Sequence, residues 1–194
     1  MTPPRITFEW LDERHLEGLI DLFARDGSPC YCRYWHFEDD NKAWLARCAG
    51  SPETNRDELR RDVRERELRA TGLLALDGDL VVGWMKLVPR STVPKLRSLP
   101  TYRAYDLGPD EGVWSIGCFL IDENYRKQGL ARALVEAAIT HVRVLGARAL
   151  EAYPREGLHA QEAWTGPPSV FAGFTRVAGE KPYPVLRLDL PESK

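Results

Sequence analysis

VWSIGCFLIDENYRKQGLARALVEAAITHVRVLG, residues 113–146, carries the pattern that decides the fold. Val113 to Asp122 is a β-like run. Arg126-Lys127-Gln128-Gly129-Leu130-Ala131 then opens the clearest amphipathic helix of the chain, over 129–146. Leu130, Leu134, Ala137, Ala138, Val142 and Leu145 line one face of it, and Arg132, Glu136, Thr140 and Arg143 the other. Gly146 is placed to cap its end. ALEAYP (149–154) reads as the next strand, stopped by Pro154. Strand, helix and strand in this order predict a mixed α/β fold.

Working outward, GLLALDGDLVVGWMKLV (72–88) holds two β-rich runs around Asp77-Gly78-Asp79, a hairpin signal. Trp84 and Trp114 are expected to face the core. A polar, proline-containing connection runs from Pro89 to Gly112. Upstream, ITFEWL (6–11) reads as a strand and 15–25 as a helix with Leu16, Leu19, Ile20 and Phe23 at helical spacing. An aromatic segment, CYCRYWHF (30–37), precedes a helical piece around Lys42–Cys48. Asn55 to Arg69 reads as a charged surface helix braced by Asp57/Arg61, Asp62/Arg66 and Glu65/Arg69 at i,i+4 spacing. Downstream, a Gly/Pro-rich loop and a short helix near 168–173 lead to two last strands, FTRVAG and YPVLRLDL. With no internal repeat and no linker, residues 1–194 read as one domain.

The composition is that of a globular chain, 43% hydrophobic and 29% charged, with a net charge of -2 that argues against a nucleic-acid binder. No apolar run has the length of a membrane span. MTPPRITFEW lacks the basic and then apolar stretch of a signal peptide, so a cytoplasmic protein is expected. In a reducing compartment Cys30, Cys32, Cys48 and Cys118 read as small apolar side chains rather than a disulfide framework. Cys30, Cys32, His36 and Cys48 match no usual zinc spacing, so no metal is expected. One intervening residue also argues against a Cys30–Cys32 disulfide.

The chemistry lies where the helix of 129–146 begins. Helix N-termini offer unsatisfied N–H groups and partial positive charge to a phosphate. Gly129 admits an anion close to the backbone, and Ala131 keeps the first turn uncrowded. Arg126 to Arg148 holds five basic residues and one acid, Glu136, a local surplus of four positive charges that suits a diphosphate. Neither a GxxxxGK[ST] nor a GxGxxG loop is found in the sequence, so the nucleoside-triphosphate and dinucleotide readings fit worse.

These residues resemble the [RQ]xxGx[GA] pyrophosphate loop of the GNAT superfamily of acetyl-CoA-dependent N-acetyltransferases. The Cys118-Phe119-Leu120-Ile121 strand end precedes the loop, and Ala172-Gly173-Phe174 resembles the family's helix-to-strand junction. Element order matches over residues 6 to 190, and the aromatic Cys-x-Cys segment looks like that of a bacterial subgroup. The resemblance implies a mixed, mostly antiparallel central sheet of about six to seven strands, flanked by helices and splayed at its centre. It implies that Phe119, Leu120 and Ile121 line the pantetheine arm like an added strand. It also implies that Arg126, Lys127, Gln128, Gly129, Leu130, Ala131 and Arg132 hold the pyrophosphate. Acetyl-CoA is the implied cosubstrate, and a small primary amine attacks its thioester directly through a tetrahedral intermediate. A backbone N–H of the 118–121 strand would stabilise the oxyanion. Such an amine has a pKa near ~10.4, so a group that removes a proton is needed.

The family's usual tyrosine acid falls on Ser169 here, which either relays a proton or caps the short helix. Tyr153 is a substitute acid. The usual base position falls on Ser115, a poor base, which leaves Glu151 as the leading candidate and Glu111 and His159 behind it. Tyr31, Tyr34 and Trp35 are candidates for the acceptor pocket, by stacking on an aromatic or cationic substrate; the other reading is a lid packed on the core. A non-catalytic acyl-CoA-binding regulatory module and a protein or peptide acetyltransferase are the alternatives. The charged 55–70 helix is either a homodimer surface or a solvated face.

Overall fold

The computed structural model describes residues 6–157 and 165–191. Its strands are β1 (Ile6–Trp10), β2 (Gly72–Asp77), β3 (Leu80–Pro89), β4 (Val113–Ile121), β5 (Ala149–Ala152), β6 (Thr175–Ala178) and β7 (Val185–Asp189). They form one seven-stranded sheet in the order β1-β2-β3-β4-β5-β7-β6. Only β4 and β5 pair in parallel. A parallel pair needs a crossover, and the helix Leu130–Val144 supplies it. The mostly antiparallel sheet expected from the sequence is therefore observed.

The helices are α1 (Leu16–Asp26), α2 (Asn41–Gly50), α3 (Pro52–Arg64), α4 (Lys95–Ser98), α5 (Pro100–Arg103) and α6 (Leu130–Val144). The Pro89–Gly112 connection thus contains two short helices, which bury Leu96 and Tyr102. Gly78 at φ +60 makes the tight β2–β3 turn, where Asp77 pairs with Leu80. Trp84 is fully buried, and half-buried Trp114 packs on Trp10 at 5.8 Å.

Helix α6 buries Leu130, Leu134, Val135, Ala138 and Val142 against one face of the sheet. Gly83 on β3 lets it lie close, because a Cβ there would sit 3.1 Å from Ala75 and 3.4 Å from Leu130. Helices α1 and α3 cover the other face over β2 and β3, with Leu16, Leu19, Leu22 and Leu59 almost completely buried. Beyond them, over β3, β4 and β5, that face carries buried Lys86, Ser115 and Glu151 beside an aromatic cluster that includes Trp35, Tyr102 and Tyr153.

Two expectations are corrected. Helix α3 is not a plain solvated brace, because Asn55, Leu59 and Asp62 are 0% exposed. The helix ends at Arg64 and Arg66 turns into a left-handed conformation at φ 58, so the Asp62/Arg66 pair does not form. Asp62 instead accepts from Arg69 at 2.8 and 3.0 Å and from buried Arg33. Asp57 pairs with Arg56 and Arg60 rather than Arg61. A buried carboxylate has to be paired, and it recruits arginines from other segments to do so.

The second correction concerns the cysteines. Cys32 and Cys118 form a disulfide across a sequence separation of 86, while Cys30 and Cys48 are thiols. The fold lays the 30–37 segment on β4, which spacing along the chain does not reveal. Closing a loop of that size removes unfolded-chain entropy worth about 4–5 kcal/mol. Among the described residues no group of three or more His, Cys, Asp or Glu could hold a metal, and no helix is long and apolar enough to cross a membrane.

Candidate active site

The centre of the site is a defect in pairing. β4 pairs with β5 only from Val113 to Ile116, then runs on to Ile121 without it. On its other side Met85 pairs with Phe119 and Leu87 with Ile116, so Gly117 and Cys118 together oppose Lys86. That is a bulge in β4, and bulges bend a strand and redirect its side chains. Beyond Ile116 the backbone of β4 therefore faces a gap on the β5 side.

The chain leaves β4 through a short 3-10 turn, Glu123–Tyr125, and enters α6 by a loop that is left-handed at Lys127 (φ 60) and Gly129 (φ 85). Gly129 is the N-cap residue of α6, and no side chain caps the helix. The first-turn N–H groups therefore have no partner within the helix. A Cβ on Gly129 would meet nothing within 4 Å among the described residues, which leave the space over the helix end open. Lys127, Gln128 and Arg132 are exposed around it. Arg126 is engaged elsewhere: it donates to the Ile121 carbonyl at 2.8 Å and pairs with Asp26 at 2.5 Å. Phe119 and half-buried Leu120 and Ile121 form the strand end; the Phe119 ring packs on Phe171.

Behind the gap lies a buried polar chain. Ser115 Oγ and the Tyr153 hydroxyl are 2.8 Å apart, and Tyr153 donates to Glu151 Oε2 at 2.9 Å. Glu151 Oε1 accepts from Arg90 at 3.0 Å and from Arg187 at 2.9 and 2.5 Å. Arg90 in turn binds Asp110 at 2.7 Å and the carbonyls of Leu107, Gly108 and Pro109. Glu151 is 0% exposed and Tyr153 2%. Burial first, and then the Glu151 charge, push the Tyr153 phenol well above its usual range. A cavity of about 270 Å³ opens beyond Arg90, lined by Arg97, Arg103, Tyr105, Leu107 and Asp110 among others. None of its walls comes from β4 or the 126–132 loop.

The aromatic segment sits over this chain. Trp35 is 2% exposed and packs on Tyr102 and Tyr153 at 6.1 and 5.6 Å. Its indole lies 2.9 Å from where a Cβ on Gly117 would be, so only glycine leaves room for it. Tyr34 faces Trp44, and the cation over its ring is the protein's own Lys95, 5.4 Å from the centroid. Arg47 lies likewise over Phe37. Tyr31 packs on Phe23 at 5.3 Å. The segment is thus built into the core, and the cationic seat at Tyr34 is filled from within.

The sequence matches the acetyltransferase (GNAT) family over residues 37–164. The chain belongs to the GNAT family. A search of curated proteins gives no match. Among solved structures, a GNAT family N-acetyltransferase from Escherichia coli (YhbS) in complex with CoA aligns at TM-score 0.55 and 20% identity, covering 96% of this chain and 83% of that one. The PaiA N-acetyltransferase of Thermoplasma acidophilum, in complex with coenzyme A, gives 0.57 and 10% over 96% and 99%. AAC(6′)-Ib in complex with ribostamycin and coenzyme A gives 0.60 and 16% over 95% and 93%. At these identities the likeness is one of fold.

Within this GNAT fold the candidate residues fall into separate places. Glu151 and Tyr153 come together with Ser115, whereas Ser169 is exposed on a 3-10 turn, Pro168–Val170, and its carbonyl accepts from Arg132 at 3.3 Å. Ser169 does not cap that turn, because Pro167 holds the cap position. Glu111 is exposed, and His159 lies outside the described residues. Arg90, Arg187 and Lys86 do not stand out in the sequence, since an arginine or lysine in or next to a strand gives no sign that it is buried. Lys86 is fully buried and donates to the Arg69 carbonyl at 2.7 Å. Burial, then the Arg33 charge, pushes its ammonium well below the usual range.

His36 makes the electrostatics testable. Its Nδ1 donates to the Thr92 carbonyl at 2.8 Å, and Nε2 is buried with no hydrogen-bond partner among the described residues. Burial, then the charges of Lys86 and Arg33, lower its pKa to about 2. The unfolded chain takes up this proton below about pH 6.5 and the folded one does not. Stability is therefore full above that pH and falls on acidification at about 1.4 kcal/mol per pH unit from this residue alone. Urea unfolding of wild type and His36→Phe between pH 7 and 5 is expected to give a shallower acid slope for the variant.

Proposed function

We propose that residues 1–194 form one N-acetyltransferase domain that moves an acetyl group from acetyl-CoA to a primary amine of a small molecule. The subgroup to which we assign it is marked by the aromatic Cys-x-Cys segment. The observation that supports this most is the open, uncapped N-terminus of α6, next to the gap where β4 leaves β5. The fit to a diphosphate is good: the 127–131 amides lie at a helix end, an exposed lysine and arginine flank them, and no Cβ fills the space. The two CoA-bound neighbours above and AAC(6′)-Ib, also solved with coenzyme A, share the fold.

In this reading Lys127, Gln128, Gly129, Leu130 and Ala131 hold the pyrophosphate through their amides, and Arg132 adds charge. Arg126 positions the loop through Asp26 and Ile121 rather than touching the diphosphate. The strand end Phe119–Ile121 offers its backbone to the pantetheine arm on the side β5 vacates, although the Ile121 carbonyl is already taken by Arg126. Acetyl-CoA bound there would supply a thioester carbonyl open to direct attack by a free amine. The tetrahedral adduct then collapses with loss of the C–S bond and CoA leaves as a thiolate. The proton lost by the amine nitrogen ends on that sulfur, carried by solvent. A backbone N–H of the strand end would stabilise the negative charge that develops on that oxygen. Glu151 and Tyr153 act as a rigid support behind β4, because every proton on the chain is already donated inward. Ser169, whose carbonyl accepts from Arg132, would in this reading lie on the diphosphate side of the site rather than at the acyl group.

The test is acetyl-CoA turnover with a panel of small mono- and diamines and a lysine-containing peptide, followed by loss of thioester absorbance and the mass of the product. An acetylated small amine is the expected result. Product from the peptide alone would make the protein a peptide acetyltransferase. Binding without product from any acceptor would leave a non-catalytic acyl-CoA-binding regulatory module.

A further inference from the structure

We infer that the Cys32–Cys118 disulfide is a redox-operated strap that seats the 30–37 segment on the bulge of β4 and is opened by a dithiol reductant. Its position carries the inference. Cys118 is one of the two residues that form the bulge, and the other, Gly117, receives the Trp35 indole. Cys32 lies three residues before Trp35, so the bridge and the indole fix one segment to one point of β4. The bridge does not join two regular elements. It ties an irregular segment in which Tyr31 and Cys32 hold left-handed backbone angles, φ 42 and φ 57. Such angles are costly for side-chain-bearing residues and persist only where the surroundings impose them.

Other contacts hold the rest of the segment: buried Arg33 pairs with Asp62 and Glu58 on α3, Trp35 packs on Tyr102 and Tyr153, and His36 bonds to Thr92. Opening the bridge removes the covalent tie to β4 while these contacts persist, so the expected change is a loosening of residues 30–35 and of the bulge at Gly117 and Cys118. Cys32 is 2% and Cys118 7% exposed, so reduction follows a local opening of the segment. One thiolate of the dithiol attacks the uncovered bridge sulfur, the Cys32–Cys118 bond breaks, and the other cysteine leaves as a thiolate that takes up a proton. The second thiol of the reductant then displaces the first protein sulfur. The reductant ends as a disulfide and the protein as two thiols. That the uncovered side of β4 is where an amine would enter rests on the acetyltransferase reading; the strap itself does not.

The experiment compares air-oxidised wild type, wild type reduced by a soluble phosphine or dithiol, and Cys118→Ser, with Cys30→Ser/Cys48→Ser as a control that keeps the bridge. Each is unfolded without reductant, alkylated with iodoacetamide and mapped by mass spectrometry. Oxidised wild type should be labelled at Cys30 and Cys48 only, and reduced protein at all four cysteines. Amide exchange of 30–37 and of Gly117–Phe119 should quicken by about tenfold or more on reduction. Cys118→Ser should show the fast exchange with or without reductant, and the control should respond like wild type. Alkylation of Cys32 and Cys118 in the oxidised protein, or exchange indifferent to reduction, would overturn the strap. If Cys118→Ser does not fold, wild type in its two states decides alone. Calorimetry with acetyl-CoA on the same samples keeps the two readings apart: no binding in either state counts against the acetyltransferase and leaves the exchange result intact.

Discussion

Replacing Glu151 with glutamine should cost the folded protein about 2–3 kcal/mol, because the change leaves the half-buried Arg187 guanidinium facing a neutral amide and weakens the bond from Arg90. Arg90 is 2% exposed and Arg187 about a quarter, and both meet at one oxygen of Glu151. Arg90 keeps Asp110 and three carbonyls, so its charge is not left bare; among the described residues Arg187 keeps the Leu107 carbonyl alone. The loss should appear in urea as a lower midpoint at unchanged slope. Acetyl-CoA affinity of the folded fraction should stay close to wild type, since Glu151 does not approach the 126–132 loop. A general base would behave in the opposite way, losing turnover while stability held. Unchanged stability with lost turnover would therefore return Glu151 to the role of base.

The fold was legible where one periodicity runs long. Leu130, Leu134, Ala138 and Val142 mark α6 without help from the rest of the chain, and the hydrophobic runs on either side of Gly78 mark β2 and β3. The helix-end loop was legible for the same reason: a strand, a glycine and a strong helix are local features. What depends on register was not legible. Glu151 stands directly opposite Arg187 across β5 and β7 and beside Ser115 across β4 and β5. Its other partner, Arg90, is 61 residues away. The residue could be picked out as a carboxylate on a core strand, but nothing nearby in sequence indicates that two arginines and a phenol occupy it. Asp62 gave the same difficulty, since i,i+4 spacing suggested Arg66 and the helix ends before that pair can form. The Cys32–Cys118 pairing depends on the bulge at Gly117 and Cys118, which comes from a mismatch between β3 and β4 rather than from any motif. The crowding of aromatic residues in 30–37 is legible, whereas the position of Lys95 over the Tyr34 ring is not, because Lys95 comes from α4, far along the chain.

Gly129 is where the largest effect on ligand binding is expected. Its φ of +85 costs a residue with a side chain about 1–2 kcal/mol. That strain applies equally to alanine and tryptophan, but the two differ in bulk. A Cβ meets nothing within 4 Å, so alanine leaves the loop amides open. An indole at the same point fills the space over the helix end, where the diphosphate would have to lie. Gly129→Ala should therefore lose some stability and keep acetyl-CoA affinity within about tenfold, whereas Gly129→Trp should weaken it by about 100-fold or more, a difference of ~2.7 kcal/mol or greater. The direct measurement is calorimetric titration of acetyl-CoA into wild type, Gly129→Ala and Gly129→Trp, each first shown to be folded by circular dichroism. Binding to the first two and none to the third is the predicted result. A wild-type protein that does not bind, or a tryptophan variant that binds as well as wild type, would contradict the placement of the cosubstrate at the N-terminus of α6.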